Sequence, residues 1–537
     1  MAGSATGLTV ETTAGKVRGT EIDDGIAAWR GIPYAAPPEG ELRLRLPQPA
    51  APWTGVRDAT AFAAPALQPE RMDARFGVAA LGPKLPPPSE DCLYLNVTAP
   101  AAATGASSGT GSAGTGSAGN RLRPVIVWIH GGGYQSGSGP DMAADGKRFV
   151  RGHDVVVVTI NYRLGALGFL AVPGESPAGA FGLHDQIAAL RWVRENIAAF
   201  GGDPDQVTIY GLSAGAKSVA NLMASPLARG LFARAASSSG GEHVATPAQS
   251  AAVARRFFRD LGADPERIRD VSAAEILAVQ GAFADKTVWV WRPMIDGSAL
   301  TGRPVDAIAR GAAAGIPLLA QHCVQECLLY QFMSPDAADQ AGPVLAGYFG
   351  PEGRDEIFTA YQKARPDLAA DPTRLGVEIM TDERYAIPTA RLADAQAAHA
   401  PVWRSRYDGP VTGLPEAVVP GGSAPAVHGT DGMPIWNGRD GLGGLLHQAW
   451  GNFVRTGSPV AADAPGGAGS SVGAGSATAG DTASAEGLPD WPRYDPAARQ
   501  TMIFHADGPH AVAGPNAAQY AAWDGRDWQP GTWWPVV

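Results

Sequence analysis

The chain has 537 residues, 45% of them hydrophobic, and 42 Lys and Arg against 52 Asp and Glu, for a formal charge of -10. That composition is ordinary for a globular protein with a sizeable core. The acidic balance argues against nucleic acid or an anionic membrane surface as partner, and no stretch approaches the roughly 18 apolar residues of a membrane span.

The first residues, Met1-Ala2-Gly3-Ser4-Ala5-Thr6-Gly7, carry no basic region followed by an apolar run, so no secretory signal is expected. Cys92, Cys323 and Cys327 are too few for a disulfide framework, and a cytoplasmic address is the expectation. Residues 101–120 are almost all Ala, Gly, Ser and Thr, and residues 461–487 are similar with a few acids. Both read as flexible surface insertions, because they hold too little apolar surface to offset ordering entropy. Strong patterns resume on either side, so the expectation is one domain over residues 1–537 with two insertions.

In chain order, residues 124–129 and 155–160 are near-continuous apolar runs, the pattern of central strands covered on both faces. Residues 185–200 carry helical apolar spacing at Ile187, Leu190, Val193 and Ile197, and end at Gly201-Gly202. A short β-branched and aromatic run follows at 207–210, then a helix at 216–223, and later strands at 316–320 and 402–407. This alternation predicts an α/β fold with a mainly parallel central sheet, helices on both faces, and ligands beyond the carboxyl ends of the strands.

The strand at 207–210 leads directly into Gly211-Leu212-Ser213-Ala214-Gly215. Strand, tight turn and helix form the context in which Gly-x-Ser-x-Gly becomes a nucleophile elbow, with the Ser213 hydroxyl raised above the sheet. Upstream, His130-Gly131-Gly132-Gly133-Tyr134 follows the strand at 124–129. Its unobstructed N–H groups suit an oxyanion hole; the expected donors are Gly132 and Gly133, with Ala214. His130 reads as a structural residue orienting this loop.

A serine nucleophile needs a base and a carboxylate to orient it, in the order Ser, acid, His. Seven histidines follow Ser213: His243, His322, His399, His428, His447, His505 and His510. His428 is best placed, in a loop after the strand at 402–407, whereas His447 sits within an expected helix at 442–453. Glu326 follows the strand at 316–320 and is the first choice of acid; Asp296, in Ile295-Asp296-Gly297, is the runner-up. Cys323 and Cys327 beside His322 raise the question of a metal, but no third and fourth ligand stands at recognisable spacing, and buried thiols are the reading preferred.

The ordered motifs resemble those of type-B carboxylesterases, the group that contains bacterial para-nitrobenzyl esterases and cholinesterases. The matching segments are Arg30-Gly31-Ile32-Pro33-Tyr34-Ala35, Glu90-Asp91-Cys92-Leu93-Tyr94-Leu95-Asn96-Val97, Asn161-Tyr162-Arg163-Leu164-Gly165, residues 200–215, Trp450-Gly451-Asn452-Phe453 and Trp491-Pro492-Arg493-Tyr494. The resemblance implies the α/β-hydrolase fold and supports Ser213, Glu326 and His428 as a triad. It further implies that Ser239 supports the acid, that Glu90 pairs with an N-terminal Arg such as Arg43, and that Cys92 is a free thiol. The chain departs from the family at Leu212, where Glu is common, and around the acid, where Gln321, Cys323 and Cys327 replace a Gly- and Asn-containing turn.

These readings predict a serine carboxylic-ester hydrolase working through an acyl-enzyme on small to medium esters, with no metal or organic cofactor. An amidase, lactonase or lipase with the same triad is the alternative, and a non-catalytic binding module a more distant one. Trp289, Trp291 and Tyr134 are candidates to line an acyl or alcohol pocket, or to pack in the core.

Overall fold

A computed structural model of the chain describes residues 8–69, 83–103, 121–140, 146–175, 178–284, 290–334, 336–412, 423–460 and 487–530. Most of the two compositional insertions, and Trp289, lie outside the described residues.

Among the described residues, eleven strands form the main sheet. In chain order they are β1 (Thr20–Asp23), β2 (Ile26–Pro33), β3 (Tyr94–Pro100), β4 (Arg123–Ile129), β5 (Val156–Ile160), β6 (Gly202–Leu212), β7 (Arg234–Ser238), β8 (Leu318–Cys323), β9 (Val402–Gly409), β10 (Thr501–His505) and β11 (Gly508–Val512). Their spatial order is β11-β10-β9-β8-β7-β6-β4-β5-β3-β2-β1. The stretch from β10 to β5 is parallel throughout, and both ends of the sheet are antiparallel. The expected parallel centre is therefore present, inside a mixed sheet. A small second sheet pairs Thr9–Thr12, Gly15–Arg18 and Val56–Asp58.

The central strands are apolar on both faces because each face is covered. Val125, Val127 and Ile129 of β4 enter one core cluster with Leu183, Ile187 and Leu190 of helix α1 (Phe181–Asn196). Ile126 and Trp128 point the other way, into a second cluster with Leu446, Ala449, Trp450 and Phe453. Those four residues lie on a C-terminal helix, Gly441–Thr456.

Several boundaries differ from the sequence reading. Helix α1 begins at Phe181, four residues earlier than the periodicity suggests, because Phe181, Gly182, Leu183 and His184 are all buried and no polar face marks the start. Its expected last turn is a separate 3-10 turn, Ile197–Phe200, closed by Gly201 at φ 80°. Strand β8 starts at Leu318 and runs to Cys323, carrying the buried polar residues Gln321 and His322 that hid its end. Pro317 lacks the N–H that a ladder needs.

The parallel strands end in register. Ile129 of β4 faces Gly211 of β6, Gly211 faces Ser237 of β7, Ser237 faces Ala320 of β8, and Ala320 faces Arg404 of β9. Loops that leave these strands consequently emerge along one edge.

A pair of histidines sits inside the second core. His153 and His447 have ring centroids 4.8 Å apart. Burial, followed by the charges of His447, Arg455 and Arg148, pushes the His153 imidazolium down to about 4 from an ordinary 6.5. A depressed folded-state value means the unfolded chain binds the proton first as pH falls. The stability contribution is whole above about pH 6.5 and is lost as pH falls towards 4. Between those limits wild-type unfolding free energy should fall by about 2 kcal/mol more than that of His153→Leu. Parallel denaturation curves for the two proteins across that window would refute it.

Candidate active site

The site assembles where β4, β6, β7, β8 and β9 end. Ser213 follows β6 directly, at φ 57° and ψ -119°, and helix α2 (Ala214–Ala224) begins at the next residue. A non-glycine residue here is strained, and such strain persists only where the surroundings enforce it. They do so through the two flanking glycines. A Cβ on Gly211 would lie 2.2 Å from the Gly215 carbonyl carbon, and one on Gly215 would lie 1.9 Å from the Ile129 oxygen. The Ser213 N–H donates to the Ser238 oxygen at 2.9 Å, tying the turn to the end of β7.

Three residues far apart in sequence then meet. His428 Nε2 lies 2.8 Å from Ser213 Oγ. His428 Nδ1 lies 2.7 Å from Glu326 Oε2. Glu326 is fully buried, and its other oxygen, Oε1, accepts from Ser239 Oγ at 2.7 Å and from the Cys323 N–H at 2.7 Å. The first choices of nucleophile, base and acid are thus one hydrogen-bonded chain, and the Ser239 contact implied by the resemblance is present. The His428 N–H also donates to the Glu326 carbonyl oxygen at 3.3 Å, which fixes the base loop against the acid turn.

The runner-up acid is engaged elsewhere. Asp296 pairs with His184 at 2.8 Å and accepts the N–H groups of Ser298 and Leu300. Of the other histidines, His399 lies against the Ala309 oxygen, and His447 against the Ile435 oxygen. The Arg43–Glu90 pair forms as expected, with contacts of 2.7 and 2.6 Å.

The glycine loop lies beside the elbow. A Cβ on Gly131 would lie 2.9 Å from the Leu212 oxygen and 3.2 Å from the Ser213 Cβ. Gly132 and Gly133 have φ of 102° and 62°, both favouring glycine. His130 supports this loop from below: its ring stacks on Tyr162 at 4.4 Å, and the Tyr162 hydroxyl donates to the His130 oxygen at 2.9 Å. The adjacent Arg163 forms a buried bidentate pair with Asp185 of α1, with contacts of 2.8 and 2.7 Å.

Two side chains offered as pocket walls are core residues. Tyr134 is fully buried, and its hydroxyl accepts from Ser218 and Asn221 of α2. Trp291 packs against Phe257 and Phe283. The aromatic wall that does face the base is Tyr385, 4.6 Å from the His428 ring, with Tyr330 at 5.9 Å. Their hydroxyls are 2.6 Å apart. Tyr385 comes from a π-helical turn, Asp382–Ala386, inserted between α3 (Pro372–Thr381) and α4 (Ile387–Ala397). Pro388 just beyond it is the one sequence sign of an interruption. Behind Tyr385 lies the Lys217 ammonium, 4.5 Å from the ring centre, whose pKa burial pulls down to about 8. Cys323 and Cys327 flank the acid as buried thiols; burial lifts Cys327 to about 12, so neither is an activated nucleophile.

A sheet of this order, with a strained serine between its sixth strand and the next helix, is the α/β-hydrolase fold. The sequence profile described as the carboxylesterase family matches residues 6–523, and the chain belongs to that family. It is 34% identical over 522 residues to the para-nitrobenzyl esterase of Bacillus subtilis (strain 168), covering 93% of this chain and 95% of that one. It is 35% identical over 488 residues to the phenmedipham hydrolase of Pseudarthrobacter oxydans, covering 84% and 91%. A solved PNB esterase superimposes with a TM-score of 0.77 at 30% identity, covering 96% of this chain and 99% of that one. A Geobacillus stearothermophilus carboxylesterase does so with a TM-score of 0.76 at 32% identity, covering 96% and 100%.

A hydrogen bond to a charged group is worth about 1.5–3 kcal/mol. Ser239→Ala removes one of the two donors on Glu326 Oε1 and should lower kcat on p-nitrophenyl butyrate about 10-fold. Unchanged kcat would show that the Cys323 N–H suffices.

Proposed function

We propose that Ser213, His428 and Glu326 form the catalytic triad of a general carboxylesterase that acts through an acyl-enzyme on small to medium esters. The observation that carries this reading is the unbroken chain Ser213 Oγ, His428, Glu326 at 2.8 and 2.7 Å. His428 Nε2 takes the hydroxyl proton as Ser213 Oγ attacks the ester carbonyl. Glu326 holds the Nδ1 proton, selecting the tautomer whose Nε2 is free to accept, and stabilises the imidazolium. The N–H groups of Gly132, Gly133 and Ala214 receive the developing oxyanion. His428 then returns its proton to the alkoxide leaving group. Water, deprotonated by the same nitrogen, releases the acid and restores Ser213.

The substrate class follows from the chemistry and is supported by the relatives, several of which carry ester-hydrolase names. Aryl esters with good leaving groups are the first substrates to expect. We read residues 1–537 as one hydrolase domain, and three unpaired cysteines fit a cytoplasmic setting.

Ser213→Ala should lower kcat on p-nitrophenyl butyrate by at least about 10³-fold while the protein stays folded. Glu326→Gln keeps the side-chain shape but presents an amide to Nδ1, and should cost about 10²–10⁴-fold. Turnover by Ser213→Ala equal to wild type would end the assignment. A fully active Glu326→Gln would remove Glu326 from the triad.

A further inference from the structure

The loop that carries His428 holds a second buried acid. Asp431 stands three residues beyond the base and is fully buried. Its Oδ2 accepts from Gln321 Nε2 at 2.6 Å and is hydrogen-bonded to Ser238 Oγ. Gln321 in turn accepts from Ser405 Oγ at 3.0 Å. These partners sit on β7, β8 and β9, side by side in the sheet.

Ser238 and Ser239 are consecutive, and they divide the two acids between them. Ser239 holds Glu326, and Ser238 holds Asp431. The backbone of Ser238 also receives the Ser213 N–H, and the Ser239 N–H donates to the Gln321 oxygen at 2.7 Å. Nucleophile, acid and base loop therefore share one anchor point at the end of β7. The loop itself is short and turned: the Thr430 N–H donates to Val427, and the Gly432 N–H to Gly429. A displacement of Asp431 has few rotatable bonds in which to dissipate before it reaches the His428 ring.

We propose that Asp431 is a positioning residue: through Oδ2 it pins the His428 loop to Ser238 and Gln321, and so sets the base between Ser213 and Glu326. The proposal rests on the triad reading above. Burial, together with the nearby Glu326 charge, pushes the Asp431 pKa up against the lowering effects of Ser238, Gln321 and His428. Among the described residues its Oδ1 has no hydrogen-bond partner, so the link to the sheet runs through Oδ2 alone. Asn is a near-isostere whose amide oxygen can accept from Gln321 and Ser238 as Oδ2 does.

The test is steady-state hydrolysis of p-nitrophenyl butyrate, with thermal unfolding alongside. Asp431→Ala should lower kcat about 30-fold, with KM within about twofold of wild type. Asp431→Asn should recover kcat to within about threefold of wild type. Ser238→Ala/Asp431→Ala should be no slower than Asp431→Ala by more than about twofold, because both remove one link. If Asp431→Ala does not fold, Ser238→Ala tests the same link without removing an acid, and should lower kcat about 5-fold. Wild-type kcat in Asp431→Ala or, where that variant is unfolded, in Ser238→Ala overturns the proposal. So does Asp431→Asn as slow as Asp431→Ala, an additive double variant, or a loss of kcat that only tracks a loss of melting temperature and KM. A wild type without ester turnover overturns the triad reading and this proposal together; normal wild-type turnover with any of the other failures overturns this proposal alone.

Discussion

The site depends on a close backbone approach. Strand β6 must end, and helix α2 must begin, with Ser213 alone between them. That is possible only because the chain passes within van der Waals contact of itself at Gly211 and Gly215, and because the neighbouring strand β4 presses its Ile129 carbonyl against Gly215. Side chains at either glycine would push the helix off the sheet. Once the helix is held there, the Ser213 backbone adopts a conformation it would avoid in isolation, its hydroxyl clears the strand end, and the first N–H of the helix lies beside it. The cost is borne by the large, dry sheet around it, whose packing on both faces leaves the turn no room to relax.

Register then does for the other groups what the glycines do for Ser213. Parallel strands that end together release their loops at one edge, so side chains drawn from distant positions need only short excursions to meet. Glu326 leaves the end of β8 by three residues, and Ser239 leaves β7 by one. His428 reaches the edge from the loop beyond β9 and is held by its own N–H on the Glu326 carbonyl. Glu326 is thereby fixed twice, through its backbone oxygen and through both carboxylate oxygens, and His428 inherits that rigidity.

What the sequence made legible divides along local and non-local lines. The elbow and the glycine loop were readable because their chemistry depends on neighbours within five residues: small residues at fixed offsets after an apolar run. The placement of Glu326 and His428 in line with Ser213 was readable from chain order after recognisable strands, although β8 begins and ends later than its apolar run suggests. Tyr385 was not readable, because it reaches His428 through a π-helical turn whose side-chain direction breaks the helical period. Asp431 and Ser238 were not readable either, since each looks like a polar residue in a loop or at a strand end until the sheet brings them together. For Tyr134 and Trp291 the sequence left pocket lining and core packing both open, and the structure places them in the core.

The hydrogen-bonded chain is most deeply buried at Glu326, and His428 is the most exposed of its three members. Glu326 is sealed at 0% exposure, and Ser213 retains 5%. A buried carboxylate is tolerable only when its lone pairs are occupied, and Glu326 has Ser239, Cys323 and His428 to occupy them. Low dielectric around that end strengthens its hold on the imidazole, while Ser213 at the other end retains some exposure. The same dryness makes every polar neighbour consequential. A donor removed from this region leaves an acceptor that water cannot easily satisfy, so the loss exceeds the worth of the bond itself. Ser238, Ser239 and Gln321 are themselves fully buried, and they stand where that asymmetry is greatest. Precision at the nucleophile is for this reason distributed over side chains one layer beneath it.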